Sequence, residues 1–275
     1  MPLRFRVLGS GSSGNATLVE FGATRLLIDA GLGPRTLAER LQSAGVDPTA
    51  LAAVLLTHEH GDHARGAAAF SAKWGVPLYG TRGTYAAAGL GALDIAGYKV
   101  VEAGSTCRFG ALAVSAVRVP HDAAEPVAFV VAADGGAVLG HATDLGLLSR
   151  GLVQSFAACD AVLVESNYDA EMLRNGSYPW SLKERILGPH GHLSNGDVGR
   201  FLSAGLGPSC RTVVLAHLSE NSNHPEVARM CAEQSLAKGG RRDVRLALTT
   251  REGTEWIDVH PSPTSSRAEA QLRLF

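Results

Sequence analysis

A group of four metal-binding side chains within six residues most constrains the fold of this chain. The segment LLTHEHGDHARG contains His58, His60, Asp62 and His63 directly after an apolar run. His58 and His60 are two residues apart, so both side chains lie on the same side of an extended chain. Asp62 and His63 follow where the chain turns towards a helix. The fold must therefore bring the end of a buried strand and the start of a helix to one cavity.

These side chains predict a site for two divalent metal ions. Neutral imidazole and carboxylate groups suit Zn²⁺, and Mn²⁺ or Fe²⁺ accept similar ligands. Four ligands in six residues exceed what one tetrahedral ion with an open position for water needs, so two adjacent ions fit better. The alternative interpretation is a polar loop that is rich in histidine by chance.

Three later apolar runs end in further candidate ligands. They are His121 in VRVPHDA, Asp144 in HATDLG and His217 in VLAHLS. We expect one ion to be held by His58, His60 and His121 and the other by Asp62, His63 and His217, with Asp144 bridging both. The alternative for each later residue is an ordinary loop position. His141, three residues before Asp144, is a candidate partner of a ligand.

Hydrophobic patterning predicts an α/β fold with mixed sheets. Hydrophobic residues make up 45% of the 275 residues and charged residues 19%, as in globular domains. Strand-like runs outnumber helical stretches, such as those at 63–74 and 195–204, and several runs lie close together as hairpins. We expect a single domain over residues 1–260. From residue 261 the chain reads PSPTSSRAEAQLRLF, which predicts a flexible tail over 261–275.

The glycines of VLGSGSSGNATLVE resemble a dinucleotide-binding turn. Gly9, Gly11 and Gly14 spell G-x-G-x-x-G after a strand-like run. Such a turn requires a helix directly after it, whose N-terminus meets the pyrophosphate. The next residues, ATLVEFGATRLLID, alternate as two strands of a hairpin. We therefore expect neither a nicotinamide nor a flavin cofactor.

Composition limits the possible partners and compartments. The net charge of −1 provides no general basic field, so nucleic acid would need a local patch. No apolar run approaches the length of a membrane span, and MPLRFRVLGS lacks the apolar core of a signal peptide. The four cysteines form no C-x-x-C pair and indicate reduced thiols. We expect a cytoplasmic protein without membrane contact.

The order of these motifs resembles the metallo-β-lactamase-fold hydrolases, which show H-x-H-x-D-H, a lone His, a lone Asp and a final His. The resemblance implies an αββα sandwich, with two mixed sheets flanked by helices and the metals at one edge. GSGSSGN, VPHDA, GHLSN and AHLSENSN are most similar to the YycJ-type bacterial exonucleases. This similarity implies a role in DNA processing and mismatch repair, without the inserted cap domain of larger relatives.

We assign candidate catalytic roles to Asp62, His192 and Glu165. His192 lies in PHGHLSN, outside the predicted ligand set, where it is able to donate a proton to a leaving oxygen or contact a phosphate. The alternative is a loop that only caps the next helix. Glu165, in VLVESNYD, resembles the acidic residue that supports the metal site in related nucleases, and we expect it to orient a ligand histidine. Strand-end solvation is the alternative.

Small polar residues are candidates for substrate contact. They are Ser12, Ser13, Asn15, Ser194, Asn195 and Asn221. Basic residues that could contact a DNA backbone are scattered, at Arg174, Lys183, Arg185, Arg200 and within 238–245. A tight turn and a solvated face are the alternatives for these two groups.

We predict a two-metal phosphodiesterase that acts on DNA, as a 5′-to-3′ exonuclease in repair. Three alternatives remain from the sequence. They are a small-molecule hydrolase of the same fold, such as a thioesterase or cyclic phosphodiesterase, an RNA-processing nuclease, and a non-enzymatic adaptor with structural metals.

The last five residues, QLRLF, are very similar to the peptide by which bacterial DNA-processing proteins bind the replicative sliding clamp. Leu272, Leu274 and Phe275 would fill an apolar pocket of the clamp, and the Gln271 amide would fix the orientation by hydrogen bonds. The preceding Pro/Ser-rich stretch would act as a tether. The alternative is a terminal segment that packs on the domain.

Deletion of residues 271–275 should abolish clamp binding, because it removes all three apolar anchors at once. Hydrolysis of free DNA should be unchanged. Clamp affinity is measured with the immobilised clamp. Equal affinity of the full chain and the truncated chain would contradict the prediction.

Overall fold

Two seven-stranded sheets face each other in the computed structural model, which describes residues 1–262. The strands are β1 (Leu3–Gly9), β2 (Ala16–Phe21), β3 (Thr24–Ile28), β4 (Ala53–Leu55), β5 (Leu78–Gly80), β6 (Tyr98–Val100), β7 (Thr106–Phe109), β8 (Leu112–Arg118), β9 (Val127–Ala133), β10 (Val138–Ala142), β11 (Ala161–Glu165), β12 (Thr212–Ala216), β13 (Arg245–Leu248) and β14 (Ile257–Val259).

Both sheets are mixed. The first has the order β14-β1-β2-β3-β4-β5-β6, and the second has the order β13-β12-β11-β10-β9-β8-β7. In the first sheet β3 to β6 pair in parallel and the other neighbours are antiparallel. In the second, β10 to β13 are parallel and β7 to β10 are antiparallel. Each sheet therefore combines a hairpin half with a crossover half.

Helices cover the outer faces of the sheets. The α-helices are α1 (Pro34–Ser43), α2 (Gly61–Ala64), α3 (Ala67–Trp74), α4 (Arg82–Ala87), α5 (Arg150–Phe156), α6 (Ala170–Asn175), α7 (Trp180–Leu187), α8 (Asn195–Arg200) and α9 (Pro225–Lys238). Short 3₁₀ turns lie at Pro48–Ala50 and Leu90–Ala92, and a π-helical turn at Phe201–Gly205 follows α8. Within residues 1–262, no helix combines the length and apolar composition needed to cross a bilayer.

Three apolar clusters hold the four layers together. Phe129 of β9 is fully buried between the sheets. Leu41 of α1 and Phe70 of α3 pack on the outer face of the first sheet. Phe156 of α5 and Leu236 of α9 pack on the outer face of the second. This arrangement confirms the predicted αββα sandwich, in which every sheet face is covered.

Some predicted elements differ from the observed ones. The stretch 63–74 is not one helix, because α2 ends at Ala64 and α3 begins at Ala67. The N–H of Gly66 donates to the carbonyl of Ala30 (2.8 Å), outside the helix, which ties this turn to the end of β3. The loop of residues 10–15 is followed not by a helix but by the predicted hairpin, in which β2 and β3 pair antiparallel.

The last described residue, Ser262, still contacts the body of the protein. The N–H of Ser262 donates to the buried Asp160 carboxylate (2.9 Å), so the chain still contacts the second sheet there. The predicted clamp-binding residues Gln271, Leu272, Leu274 and Phe275 lie outside the described residues. Their role stays a prediction.

Replacing Phe129 with Ala should lower the free energy of unfolding by about 3–5 kcal/mol, because it leaves a cavity between two sheets that close only partly. Urea denaturation monitored by circular dichroism measures the change. Leu93→Ala is the control, since Leu93 is 49% exposed and its truncation should cost less than about 0.5 kcal/mol. Similar values for the two variants would contradict the assignment of the core.

Candidate metal centre

The predicted metal ligands follow strand ends at one edge of the sandwich. His58 and His60 follow β4 of the first sheet, and α2 starts directly after them. The other sheet contributes His121 after β8, Asp144 after β10 and His217 after β12. Because both sheets end here, residues far apart in sequence meet in one small volume.

Strained backbone marks three of the residues near this edge. Among the described residues other than glycine, positive φ occurs at Asp29 (62°), Asp144 (61°) and His217 (52°). Such conformations cost of order 1–3 kcal/mol each and cluster at functional sites. The left-handed backbone turns each side chain from its strand end into the site.

Three histidines form the first half of the centre. Ring nitrogens of His58, His60 and His121 lie within 4.8 Å of one another. His121 Nε2 is 3.2 Å from His60 Nδ1. His121 Nδ1 donates to the carbonyl of Gly191 (3.1 Å), so Nε2 is the ring nitrogen available to a metal ion.

Two histidines and two carboxylates form the second half. Asp144 Oδ2 lies 2.9 Å from both His63 Nε2 and His217 Nδ1. Asp62 Oδ2 lies 3.7 Å from the Nε2 atoms of the same two rings. The ring centroids of His58 and His63 are 4.2 Å apart, which places the two halves side by side.

Several ligand atoms in this centre are buried and lack a hydrogen-bond partner within residues 1–262. They are His58 Nε2 and the pair Asp144 Oδ2 and His217 Nδ1, which lie 2.9 Å apart without the geometry of a hydrogen bond. Leaving such atoms unpaired is costly, whereas a cation among them would satisfy all three at once. Nitrogen and carboxylate donors in two adjoining groups fit a dinuclear divalent metal site.

A buried network orients His63. Asp29 Oδ2 accepts a hydrogen bond from His63 Nδ1 (2.8 Å), and Asp29 Oδ1 accepts one from the backbone N–H of Thr57 (2.8 Å). Asn15 Nδ2 lies 3.0 Å from His63 Nε2. Burial lowers the pKa of His63, but Asp144 and Asp29 raise it more, to well above its ordinary value. Metal binding at His63 therefore has to displace a proton.

Glu165 supports His192 at the side of the centre. Glu165 is fully buried, and its Oε2 accepts a hydrogen bond from His192 Nδ1 (3.0 Å). Its Oε1 accepts from the backbone N–H groups of Leu145 (2.8 Å) and Leu193 (3.2 Å). Burial lowers the pKa of His192, whereas the charge and hydrogen bond of Glu165 raise it, to about 9.

Four of the predicted ligands line a cleft of about 460 Å³, namely His60, Asp62, Asp144 and His217. Of the predicted substrate residues, Ser12 lines this cleft. Of the predicted basic residues, Arg185 lines it. Arg65, Asn167 and Ser219 also line it. The cleft therefore combines predicted metal ligands with two guanidinium groups.

The other predicted substrate residues are not in the cleft lining. Asn15 contacts His63 instead, and the carbonyl of Ser13 accepts from Arg65 Nη2 (2.8 Å). Ser194 caps α8 together with Asp197.

Two asparagines in the predicted set are occupied by the protein itself. Buried Asn195 accepts from Ser166 Oγ (2.7 Å) and exchanges hydrogen bonds with Asn223. Asn221 Nδ2 donates to Tyr178 Oη (2.8 Å). We therefore leave Ser13, Asn15, Ser194, Asn195 and Asn221 out of the substrate contacts.

Lys183 and His141 also differ from their predicted settings. Lys183 is buried and donates to the carbonyls of Arg174 and Gly176 (2.7 Å each), so it does not face a DNA backbone. His141 Nε2 lies 3.2 Å from Thr17 Oγ1 rather than on a ligand. Burial lowers the pKa of His141 to about 4.

Sequence reasoning missed Asp29, Arg65 and Tyr178. Asp29 directly follows a buried strand in LLIDAG, the same signal that identified Asp144. Arg65 stands two residues after His63, close to the motif. Tyr178 had no signal, because only the tertiary fold brings its loop to the cleft.

The chain matches the beta-lactamase superfamily domain over residues 24–217. It therefore belongs to the beta-lactamase superfamily. This membership confirms the predicted fold and the class of metal-dependent hydrolases.

The chain is similar to two proteins named exodeoxyribonucleases and to a solved structure of the same fold. Exodeoxyribonuclease WalJ of Streptococcus pneumoniae is 36% identical over 239 residues, covering 86% of this chain and 88% of that protein. Exodeoxyribonuclease YycJ of Bacillus anthracis is 35% identical over 242 residues, covering 87% and 91%. The solved structure of the metallo-beta-lactamase fold protein YhfI from Bacillus subtilis has a TM-score of 0.71 at 18% identity, covering 94% of this chain and 100% of that one, and shows the same fold.

Replacing Asp29 with Asn should lower metal affinity about 10–100-fold, because the carboxylate that orients His63 is lost while the side chain keeps its shape. Titration against a chromophoric chelator measures the affinity. Asp258→Asn is the matched control, since Asp258 lies exposed on β14. Unchanged affinity in the Asp29 variant would contradict a positioning role.

Proposed function

We propose that this chain is a metal-dependent exodeoxyribonuclease that degrades DNA from the 5′ end. The observation that carries the proposal is the position of His192, which Glu165 holds beside the ligand cluster in an open cleft. The similarity to proteins named exodeoxyribonucleases, at 35–36% identity, supports DNA as the substrate.

The proposed ligand set is the one predicted from the sequence. One Zn²⁺ or Mn²⁺ ion would be held by His58, His60 and His121 and a second by Asp62, His63 and His217, with Asp144 between them. When bound, the two ions activate water and stabilise the charge that develops on the phosphoryl oxygens. The protein contributes fixed ligand positions, since these side chains are held by strained strand ends and buried hydrogen bonds.

His192 is the proposed general acid. Its Nδ1 donates to Glu165, so Nε2 is the atom that faces the cleft. During hydrolysis a water molecule that has lost one proton to solvent would bond to phosphorus through its oxygen, the bond from phosphorus to the 3′-oxygen would break, and His192 Nε2 would give its proton to that oxygen. Glu165 stabilises the protonated ring before the transfer.

Arg65 and Arg185 are the proposed contacts for the DNA backbone. Arg65 Nη2 donates to the carbonyls of Ser13 and Gly31 (2.8 Å each), which fixes its guanidinium at the cleft. Arg185 is held by Asp122. Two fixed cations beside a metal centre suit the phosphates that flank the cleaved bond.

The proposal includes a cytoplasmic location and the sliding clamp as a partner. The four cysteines, all within residues 1–262, form no disulfide, which suits the reducing cytoplasm. The terminal QLRLF supports recruitment by the sliding clamp to replicated DNA, and a role in DNA repair would follow from such recruitment.

Asp62→Ala and His121→Ala should each lower exonuclease activity by about 10³-fold or more, because each removes a ligand of one ion. Release of nucleotides from end-labelled DNA with Zn²⁺ or Mn²⁺ measures the activity. Asp94→Ala and His260→Ala, both at exposed positions, are the matched controls. Wild-type rates in both ligand variants, with circular dichroism unchanged, would refute the mechanism.

A substrate panel tests the choice of DNA. Single- and double-stranded DNA and RNA labelled at either end, bis-p-nitrophenyl phosphate and a thioester are compared at equal enzyme concentration. Faster hydrolysis of RNA or of a small substrate than of DNA would assign the chain to one of the alternative hydrolase classes. Degradation of DNA from the 3′ end would contradict the proposed polarity.

A further inference from the structure

The cleft beside the metal ligands has one apolar wall. Tyr178, Leu182 and Ile186 form it, and each is half-buried. The remaining lining consists of polar or charged residues and glycine. Phosphate contacts account for the cations and the metal ligands, but an apolar wall adds nothing to phosphate binding.

We propose that this wall binds the base of the terminal nucleotide of a DNA strand, which is thereby held out of its stack. The inference rests on the proposed exonuclease function and specifies how the same site grips its substrate. Nucleobases have apolar faces, and stacking of a base on such side chains tolerates every sequence. A cleft of about 460 Å³ suits one nucleotide rather than a base pair.

The wall is joined directly to the proposed general acid. The N–H of His192 donates to the carbonyl of Ile186 (3.1 Å), across the turn that ends α7. Only glycine fits at position 191, because a Cβ there would lie 2.2 Å from the Ile186 carbonyl oxygen. The carbonyl of Gly191 also accepts from His121 Nδ1. A base on the wall is therefore held at a fixed position relative to both the acid and one metal ligand.

The wall is formed before substrate arrives. Lys183 of α7 donates hydrogen bonds to the carbonyls of Arg174 and Gly176, which fixes the loop that precedes the helix. The Tyr178 hydroxyl accepts from Asn221, which ties the same loop to the segment after β12. Such preorganisation lowers the entropy that is lost when a base binds.

Chemistry at His192 decides which base occupies the wall. In the proposed reaction His192 protonates the leaving 3′-oxygen. The nucleotide next to His192 is the one that carries this oxygen, and it is therefore the one that is released. For 5′-to-3′ digestion this nucleotide is the 5′-terminal one. The wall therefore recognises the residue about to be released, and it requires an unpaired end.

The test uses wild-type chain with Mn²⁺ and single-stranded oligonucleotides that carry either a base or an abasic residue at the 5′ terminus. We expect kcat/KM for release of the first residue to fall about tenfold for the abasic end, because stacking on the wall is lost. An abasic residue placed far from the end should leave this rate unchanged.

Variants locate the effect on the wall. Leu182→Ala and Ile186→Ala should reduce the discrimination against the abasic end towards one, because each truncates the wall. Leu187→Ala is the matched control, since Leu187 lies on the same helix, is 36% exposed and is not in the cleft lining. This control should keep the wild-type discrimination, and metal content and circular dichroism confirm that each variant is folded.

Three negative results have different meanings. If the wild-type chain digests DNA and releases abasic and normal ends equally fast, the base-binding wall is overturned and the exonuclease function stands. If Leu182→Ala and Ile186→Ala fold and keep full discrimination, the base binds elsewhere and the proposal is also overturned. If the wild-type chain digests no DNA, the proposed function itself fails.

Discussion

The arrangement of this site depends on one constraint, which is that buried imidazole and carboxylate atoms must share a cation. Asp144 Oδ2 lies 2.9 Å from ring nitrogens of His63 and His217 but has no hydrogen-bond partner among the described residues. His58 Nε2 is also buried and also lacks a hydrogen-bond partner among these residues. Removing such groups from water costs several kcal/mol unless a compensating charge is present. The strained backbone at Asp144 and His217 is retained because it directs these atoms to a common point.

A second dependence connects the metal centre with the cleft. The short segment that ends α7 contacts a metal ligand through Gly191, positions His192 and continues from the apolar wall at Ile186. This one turn of backbone therefore fixes the positions of His121, His192 and the apolar wall relative to one another. Because Glu165 also accepts from the backbone of Leu145 and Leu193, it connects His192 to the loop that follows Asp144.

Features of the fold and site could be predicted where a short stretch of sequence carries the pattern that indicates them. His58, His60, Asp62 and His63 could be assigned from spacing, because strand and helix geometry over six residues places them on one side. Short strands such as Leu78–Gly80 and Tyr98–Val100 could not be predicted, since three residues carry no readable period and pairing in the sheet stabilises them. Asn195 and Ser194 were expected to contact substrate, but buried amide pairing and helix capping occupy them.

The sequence by itself determined the kind of chemistry available, because the ligand types and their order along the chain are written in it. It also determined the four-layer class of fold through its alternation of apolar runs and its resemblance to a known superfamily. Only the tertiary structure decided that Asp29 supports His63, that Lys183 is used to clamp a loop, and that Tyr178, Leu182 and Ile186 form a wall beside His192. These outcomes depend on contacts between distant segments, whose geometry is set by how both sheets and their helices pack and not by any local pattern.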